Sequence, residues 1–223
     1  MNQFQYKLYP ILDCPKDDNR QNSACISQNS EFFLPDILED WSASPQIIPF
    51  IQLRLKNHTD AEIEKIYRHL STNHPSLKII INDYWRLAEK LGAFGFHLGK
   101  EDYAELTHAE KIELSRSKLF KGTSSHSAED IRNLEPFWDY SGIGPVFGTN
   151  SKQTPYPTLG ISQLGDIISL SKTPLVAIGG IGPDNYMELL TATGITIAAI
   201  ASLSDKNSFY KMKEILESFT GSK

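Results

Sequence analysis

The sequence predicts an α/β protein folded as one closed (β/α)8 TIM barrel, and three observations predict it. The stretch from Ile79 to Asp102 reads as a βαβ unit. An apolar run, Ile79-Ile80-Ile81, stops at Asn82-Asp83; a helical pattern through Trp85, Leu87, Ala88 and Leu91 closes at Gly92; a second apolar run, Phe94 to Leu98, ends at Gly99. Strands joined through a helix run parallel, so both finish on the same edge of the sheet. Runs of this kind recur until eight strands are counted, seven of them separated from the next by a helical pattern. Eight βα units imply closure, whereas an open doubly wound sheet usually has about five or six strands. Finally, 223 residues lie in the lower part of the range for one such barrel, typically ~250 residues. No linker, low-complexity tract or charge block divides the chain, so residues 1–223 read as a single domain in which 14–49 are atypical.

In order, Lys7 to Leu12 is the first strand candidate, ending at Asp13, and Cys14 to Ser30 is a polar loop. Phe32 to Trp41 carries Leu34, Ile37, Leu38 and Trp41 at helical spacing before Pro45 and Pro49. Phe50 to Leu55 alternates as a strand; Thr59 or Asp60 caps a helix whose Ile63, Ile66, Tyr67 and Leu70 share a face. After the central βαβ unit, Thr107 caps a helix through Leu114, Leu119 to Ser125 is a strand, and Ser127 to Leu134 is helical. Tyr140 to Phe147 is a strand ending in the polar loop GTNSKQT, followed by a helix from Ile161 to Leu170. Pro174 to Ile178 is a buried strand ending at Gly179-Gly180, and Pro183 starts a helix to Leu190. Ile195 to Ala201 is the last strand and Ser208 to Phe219 the closing helix.

Composition narrows the function. A formal net charge of -5 argues against a general nucleic-acid binder, which would carry a basic excess. No apolar run approaches the ~20 residues of a membrane span, and no leader pattern opens the chain. Cys14 and Cys25 form no CxxC motif and have no partner ligands at zinc spacing, so both read as free thiols in a reducing, cytoplasmic setting.

In such a barrel the loops after the strands build the active site. The strand ends supply Gln52, Arg54 and Lys56; Asn82 and Asp83; Asp102; Ser124, Ser125 and His126; Thr149, Ser151 and Lys152; Gly179 and Gly180; and Ser202. Two carboxylates on one rim suit a hard cation such as Mg²⁺, although Asp83 could instead cap the next helix and Asp102 sit in a turn. With Lys and Arg nearby, they form what a diphosphate ester needs: a metal and cations to absorb phosphoryl charge. Glycines after the seventh strand, followed by a helix start, suit a second phosphate. His97, inside a strand, reads as a structural histidine, and His126 as either an acid–base group or a helix-capping residue.

QLRLK at Gln52 to Lys56, INDYWRLA at Ile81 to Ala88, HLGKED at His97 to Asp102, SSH at Ser124 to His126, GPVFGTNSK at Gly144 to Lys152 and AIGGI at Ala177 to Ile181 together resemble the thiamine phosphate synthase family, over roughly residues 50 to 203. The resemblance implies a (β/α)8 barrel that joins hydroxymethylpyrimidine diphosphate to thiazole phosphate and releases pyrophosphate, with Mg²⁺ as cofactor and small molecules as its partners. It implies that Gln52, Arg54 and Lys56 hold the pyrimidine diphosphate and that Asn82 contacts both its halves. Asp83 and Asp102 would bind Mg²⁺; Ser124 and Lys152 would contact the diphosphate, these two and Arg54 being the catalytic set. Thr149 and Ser151 would position the thiazole phosphate, completed by Gly179, Gly180 and the backbone near Ala201 and Ser202. The chain departs from the family's pattern at Lys100, read as a cation beside the metal carboxylates, at Gly148, and at Thr196-Ile197 in place of a glycine-rich turn. Two alternatives stand beside this reading: a related barrel isomerising a thiazole carboxylate phosphate with His126 as proton shuttle, and a barrel that only binds thiazole or thiamine phosphate. A homo-oligomer is compatible with either class, and Thr149 to Thr154 is the candidate lid.

Overall fold

A computed structural model describes residues 5–14, 26–28, 31–149, 151 and 155–221. Eight parallel strands close the barrel in the order β1-β10-β9-β8-β7-β6-β5-β4. These are β1 (Leu8–Asp13), β4 (Ile51–Arg54), β5 (Ile79–Asn82), β6 (Gly95–Leu98), β7 (Phe120–Ser125), β8 (Tyr140–Ile143), β9 (Leu175–Ile178) and β10 (Thr196–Ala199). Between β1 and β4 lie a small antiparallel pair, β2 (Ile26–Gln28) with β3 (Glu31–Phe33), and the helix α1 (Ile37–Ser42). The hairpin is a difference from the expected plain loop, and it shortens the expected helix, which starts only at Ile37.

Outside the barrel run α2 (Asp60–Asn73), α3 (Trp85–Leu91), α4 (Lys100–Glu105), α5 (His108–Ser115), α6 (Ala128–Arg132), α7 (Gly160–Leu170), α8 (Pro183–Thr193), α9 (Ala201–Ser204) and α10 (Lys206–Gly221). Their starts are chemical. Thr59 and Thr107 each accept from the N–H three residues on while Glu62 and Glu110 reach back, two complete capping boxes. Gly92 and Gly194, both left-handed, end α3 and α8. Two short helices were not expected. Asp102 belongs to the first turn of α4 rather than to a turn after a strand, and Ala201 and Ser202 open α9 rather than ending a strand. β8 stops at Ile143, so Gly144 to Phe147 is loop.

Alternation along each strand divides the core. Leu8, Leu12, Leu53, Ile79 and Ile81 pack outward against the helices with Leu70, Leu164, Leu189 and Phe209. Tyr9, Ile11, Phe50, Ile80, Tyr140, Val176 and Ala198 form a second cluster inside the barrel. The rings of Phe50, Phe94, Phe120 and Tyr140 pack together there. The same period of two carries Gln52, Arg54, Asn82, His97 and Ser124 inward, towards the end where the strands finish.

Cys14, buried beside β1, is disulfide-bonded, which corrects its reading as a free thiol; the partner sulfur lies outside the described residues. A bridge needs no particular spacing of its cysteines along the chain, so the absence of a CxxC motif is no argument against one. No helix among the described residues is long and apolar enough to cross a membrane.

Candidate active site

Two cavities open at the carboxyl ends of the strands and share a wall. One is lined by Gln52, Arg54, Lys56, Asn82, Asp83, Glu101, Asp102 and Ser124 above Tyr9, His97 and Tyr140. The other is lined by Ser124, His126, Thr149, Ser151, Gly179, Gly180, Ala201 and Ser202. Ser124, Gly142, Ile178, Ala198 and Ile200 face both, so the pair forms one two-lobed cleft.

The first lobe is ionic. Arg54 Nη1 lies 2.6 Å from Asp13 Oδ1, with Asp13 buried and Arg54 nearly so. Lys56 Nζ forms an ion pair with Asp83 Oδ2. Asp83 has φ 67°, a left-handed backbone uncommon outside glycine, held by its N–H donating to His97 O (2.8 Å). It does not cap α3, whose N-cap is Tyr84 without a side-chain bond. Asp102 comes from the neighbouring α4, and its Oδ2 folds back over Gly99, where a Cβ would stand only 2.7 Å away. As a residue Asp102 is exposed, but the protein crowding its carboxyl on the cleft side pushes its pKa above the usual carboxylate range. Asp83's charge adds to that rise and Lys56 opposes it. Two carboxylates lining one cavity, the charge of Asp83 felt at Asp102, suit a divalent cation. Among the described residues no group of three or more such donors gathers. A cation held by this pair would therefore take its remaining ligands from substrate oxygens and water, the habit of Mg²⁺.

Lys100 does not join that lobe. Its Nζ pairs with Asp130 Oδ1 at 2.6 Å, which corrects its reading as a cation beside the metal carboxylates; a side chain starting the outer helix α4 reaches α6 more directly than the barrel mouth. Burial alone would raise Asp130's pKa, but Lys100 and the His126 N–H (2.7 Å) hold it below the usual carboxylate value.

The second lobe is built from backbone. Gly179 (φ 101°) and Gly180 (φ 64°) are left-handed and lie directly under the loop after β8. The N–H groups of Val146 and Phe147 donate to Ile178 O (2.9 Å) and Gly179 O (3.0 Å), so any side chain at either glycine would strike Pro145 or Phe147. The Ser202 hydroxyl is engaged, donating to Ile181 O (2.6 Å). The N–H groups that open a helix have no intrahelical partner, and those of Ala201 and Ser202 open α9 beside the cavity. Ser151 N donates to Thr149 Oγ1 (3.2 Å), which ties those two together.

Lys152 lies outside the described residues, as does most of the candidate lid from Thr149 to Thr154. Every other residue expected at the site lines one lobe or the other. His97 is a bonded core histidine, with both ring nitrogens in hydrogen bonds. His126 is held by Gly144 O (Nδ1 at 2.6 Å) and stacks on Tyr156 at 3.7 Å, while Tyr156 donates to Glu101. Tyr9, Tyr140, Glu101 and Tyr156 were missed. An inward tyrosine on a strand reads as core, and only the pairing of strands far apart in sequence reveals its polar end.

The thiamine monophosphate synthase family model matches residues 33–203. The chain belongs to that family. Its relatives include a thiamine-phosphate synthase of Yersinia pestis, 35% identical over 159 residues, covering 68% of this chain and 71% of that protein. A thiamine-phosphate synthase of Salmonella schwarzengrund is 39% identical over 156 residues, covering 68% and 72%. Among solved structures, a thiamine phosphate pyrophosphorylase from Pyrococcus furiosus superposes with a TM-score of 0.69 at 26% identity, covering 97% of this chain and 98% of that one. The family match starts at residue 33, earlier than the motifs near residue 50 suggest, so part of the atypical segment belongs to it.

Proposed function

We infer that this chain joins hydroxymethylpyrimidine diphosphate to thiazole phosphate, forming thiamine phosphate and releasing pyrophosphate. The observation that carries the reading is the two-lobed cleft, one lobe ionic and one lined by glycines and helix-opening N–H groups, meeting at Ser124. Two anionic substrates bound in separate lobes would bring their uncharged ends together at the shared wall of Gly142, Ile178, Ala198 and Ile200. Family membership supports the same reaction.

In this reading Arg54, Lys56 and Lys152 balance the diphosphate's charge, with Gln52 and Asn82 orienting the pyrimidine. Ser124 donates a hydrogen bond to the departing group. Loss of pyrophosphate leaves a cation that the pyrimidine ring stabilises and the thiazole nitrogen captures, so the protein needs no nucleophile of its own. The apolar shared wall excludes water, the rival nucleophile. Asp83 and Asp102 would hold Mg²⁺, which when bound supplies Lewis-acid stabilisation of the leaving diphosphate. Thr149, Ser151, Gly179, Gly180 and the N–H groups of Ala201 and Ser202 would hold the thiazole phosphate. The cytoplasm is the setting we assign, since phosphorylated substrates of this charge do not partition into a bilayer. A homo-oligomer is compatible with the reading.

The test is direct: both substrates and Mg²⁺ are incubated with the protein, and thiamine phosphate and pyrophosphate are quantified. Equimolar formation of both products is expected. Binding of either substrate with no product under any divalent metal would contradict the reading.

A further inference from the structure

A relay of four hydrogen bonds crosses the barrel beneath the cleft. Gln52 Nε2 donates to the Tyr9 hydroxyl (2.9 Å), the Tyr9 and Tyr140 hydroxyls are 2.8 Å apart, Tyr140 Oη lies 3.0 Å from His97 Nδ1, and His97 Nε2 lies 2.9 Å from Ser124 Oγ. It links two cleft residues, Gln52 and Ser124, through three side chains, Tyr9, Tyr140 and His97, to which the proposed function gives no part.

The relay has a direction. An amide NH₂ only donates, so the Tyr9 oxygen accepts there and its own hydrogen is left to reach Tyr140, 2.8 Å away. In that direction Tyr140 would give its hydrogen to His97 Nδ1, which would leave the imidazole proton on Nε2. Nε2–H would then donate to Ser124 Oγ, and the serine's hydrogen would turn from the histidine into the cleft. Burial raises the pKa of both tyrosines well above the ordinary value, so each remains a neutral hydroxyl able to pass its hydrogen on. Aligned hydrogen bonds in a buried row polarise and strengthen one another. The sequence makes room for this arrangement: a Cβ on Gly122 would overlap the Tyr140 ring.

We propose that Tyr140, backed by Tyr9 and Gln52, fixes His97 as its Nε2–H tautomer and so holds the Ser124 hydroxyl as a hydrogen-bond donor to an anionic oxygen in the cleft. Tyr9, Tyr140 and His97 are positioning residues; Ser124 is the group that meets the ligand. The proposal rests on the reading that a diphosphate occupies the ionic lobe. A donor already aimed at the leaving oxygens spares the reaction the cost of turning it as charge develops.

The tautomer is read without ligand, by ¹⁵N NMR of histidine-labelled protein, and the consequence by steady-state kinetics of Tyr140→Phe. Phenylalanine keeps the ring stacked on Phe120 (5.4 Å, 15°) and removes only the hydroxyl. The wild-type spectrum should place the His97 proton on Nε2 and show a hydrogen-bonded Nδ1. In Tyr140→Phe the Nδ1 resonance should move, and kcat should fall roughly tenfold with KM for the pyrimidine diphosphate changed less than about twofold, the pattern of a lost transition-state interaction. Tyr9→Phe, which breaks the relay one step earlier, should lower kcat by a smaller factor. A wild-type His97 proton on Nδ1 overturns the proposal, and that spectrum needs no variant to fold. So does a Tyr140→Phe enzyme with wild-type kcat and an unchanged melting temperature. A wild-type protein with the Nε2–H tautomer that makes no thiamine phosphate would sink the functional reading and leave the relay standing.

Discussion

Gly122 offers a sharp test of how the barrel interior is packed. A Cβ built there falls well inside 3.0 Å of the Tyr140 ring and hydroxyl, closer than real Cβ atoms come. The ring has nowhere to go: Tyr140 is fully buried and boxed in by Tyr9, Phe50, Phe120 and His97. Overpacking a tight core costs about 1–3 kcal/mol, and a rigid ring meeting a rigid strand belongs at the upper end. For a chain of 223 residues, with roughly 2–4 °C lost per kcal/mol, Gly122→Ala should lower the melting temperature by about 6–12 °C. Gly165→Ala is the control. Gly165 lies within α7 with open space around its Cβ position, so the same methyl should stabilise by about 0.5–1 kcal/mol through helix propensity. Thermal and urea unfolding of both variants measure the contrast. A Gly122→Ala protein within about 0.5 kcal/mol of wild type would refute the packing described for Tyr140.

Replacing Asp83 or Asp102 with Asn should reduce Mg²⁺-dependent turnover roughly a hundredfold or more while circular dichroism shows the barrel intact, because these carboxylates meet solvent and cleft rather than the core. Asp130 has a folded pKa below its unfolded value, so its contribution to stability is complete above the ordinary carboxylate range and is lost as pH falls through the depressed value. Asp130→Asn should therefore be clearly less stable than wild type at neutral pH, with the difference in urea midpoint closing below about pH 4. Thr59→Ala removes a complete capping box and should cost about 1 kcal/mol in the same unfolding assay, without affecting turnover.

The barrel was legible because most of its strands carry a short apolar run and several of the long helices show their own punctuation. Ile79–Asn82 ends on polar residues, and Thr59 and Thr107 stand three positions ahead of glutamates. What was illegible lacks such marks. α4 (KEDYAE) buries no residue and α9 has four residues, so neither leaves a periodic pattern. The β2–β3 hairpin has three residues a strand, too few to show alternation. At the site, residue types at strand ends identified most of the polar side chains lining the cleft, since inward alternation carries Gln52, Arg54 and Asn82 there by geometry. Partners across the barrel were another matter. Tyr9 meets Tyr140 across 131 positions, and Lys100 chooses Asp130 over the carboxylates near it in sequence. Such pairings are set by closure of the sheet, which no local window contains.

The central proposal is that Asp83 and Asp102 share one divalent ion in the ionic lobe. A crystal grown with Mn²⁺ in place of Mg²⁺ and a non-reacting pyrimidine diphosphate analogue tests it by anomalous scattering. The account predicts a single strong peak about 2–2.3 Å from an oxygen of each aspartate and from the diphosphate. A peak bound to only one of them, or a diphosphate held with no metal between those carboxylates, would contradict it.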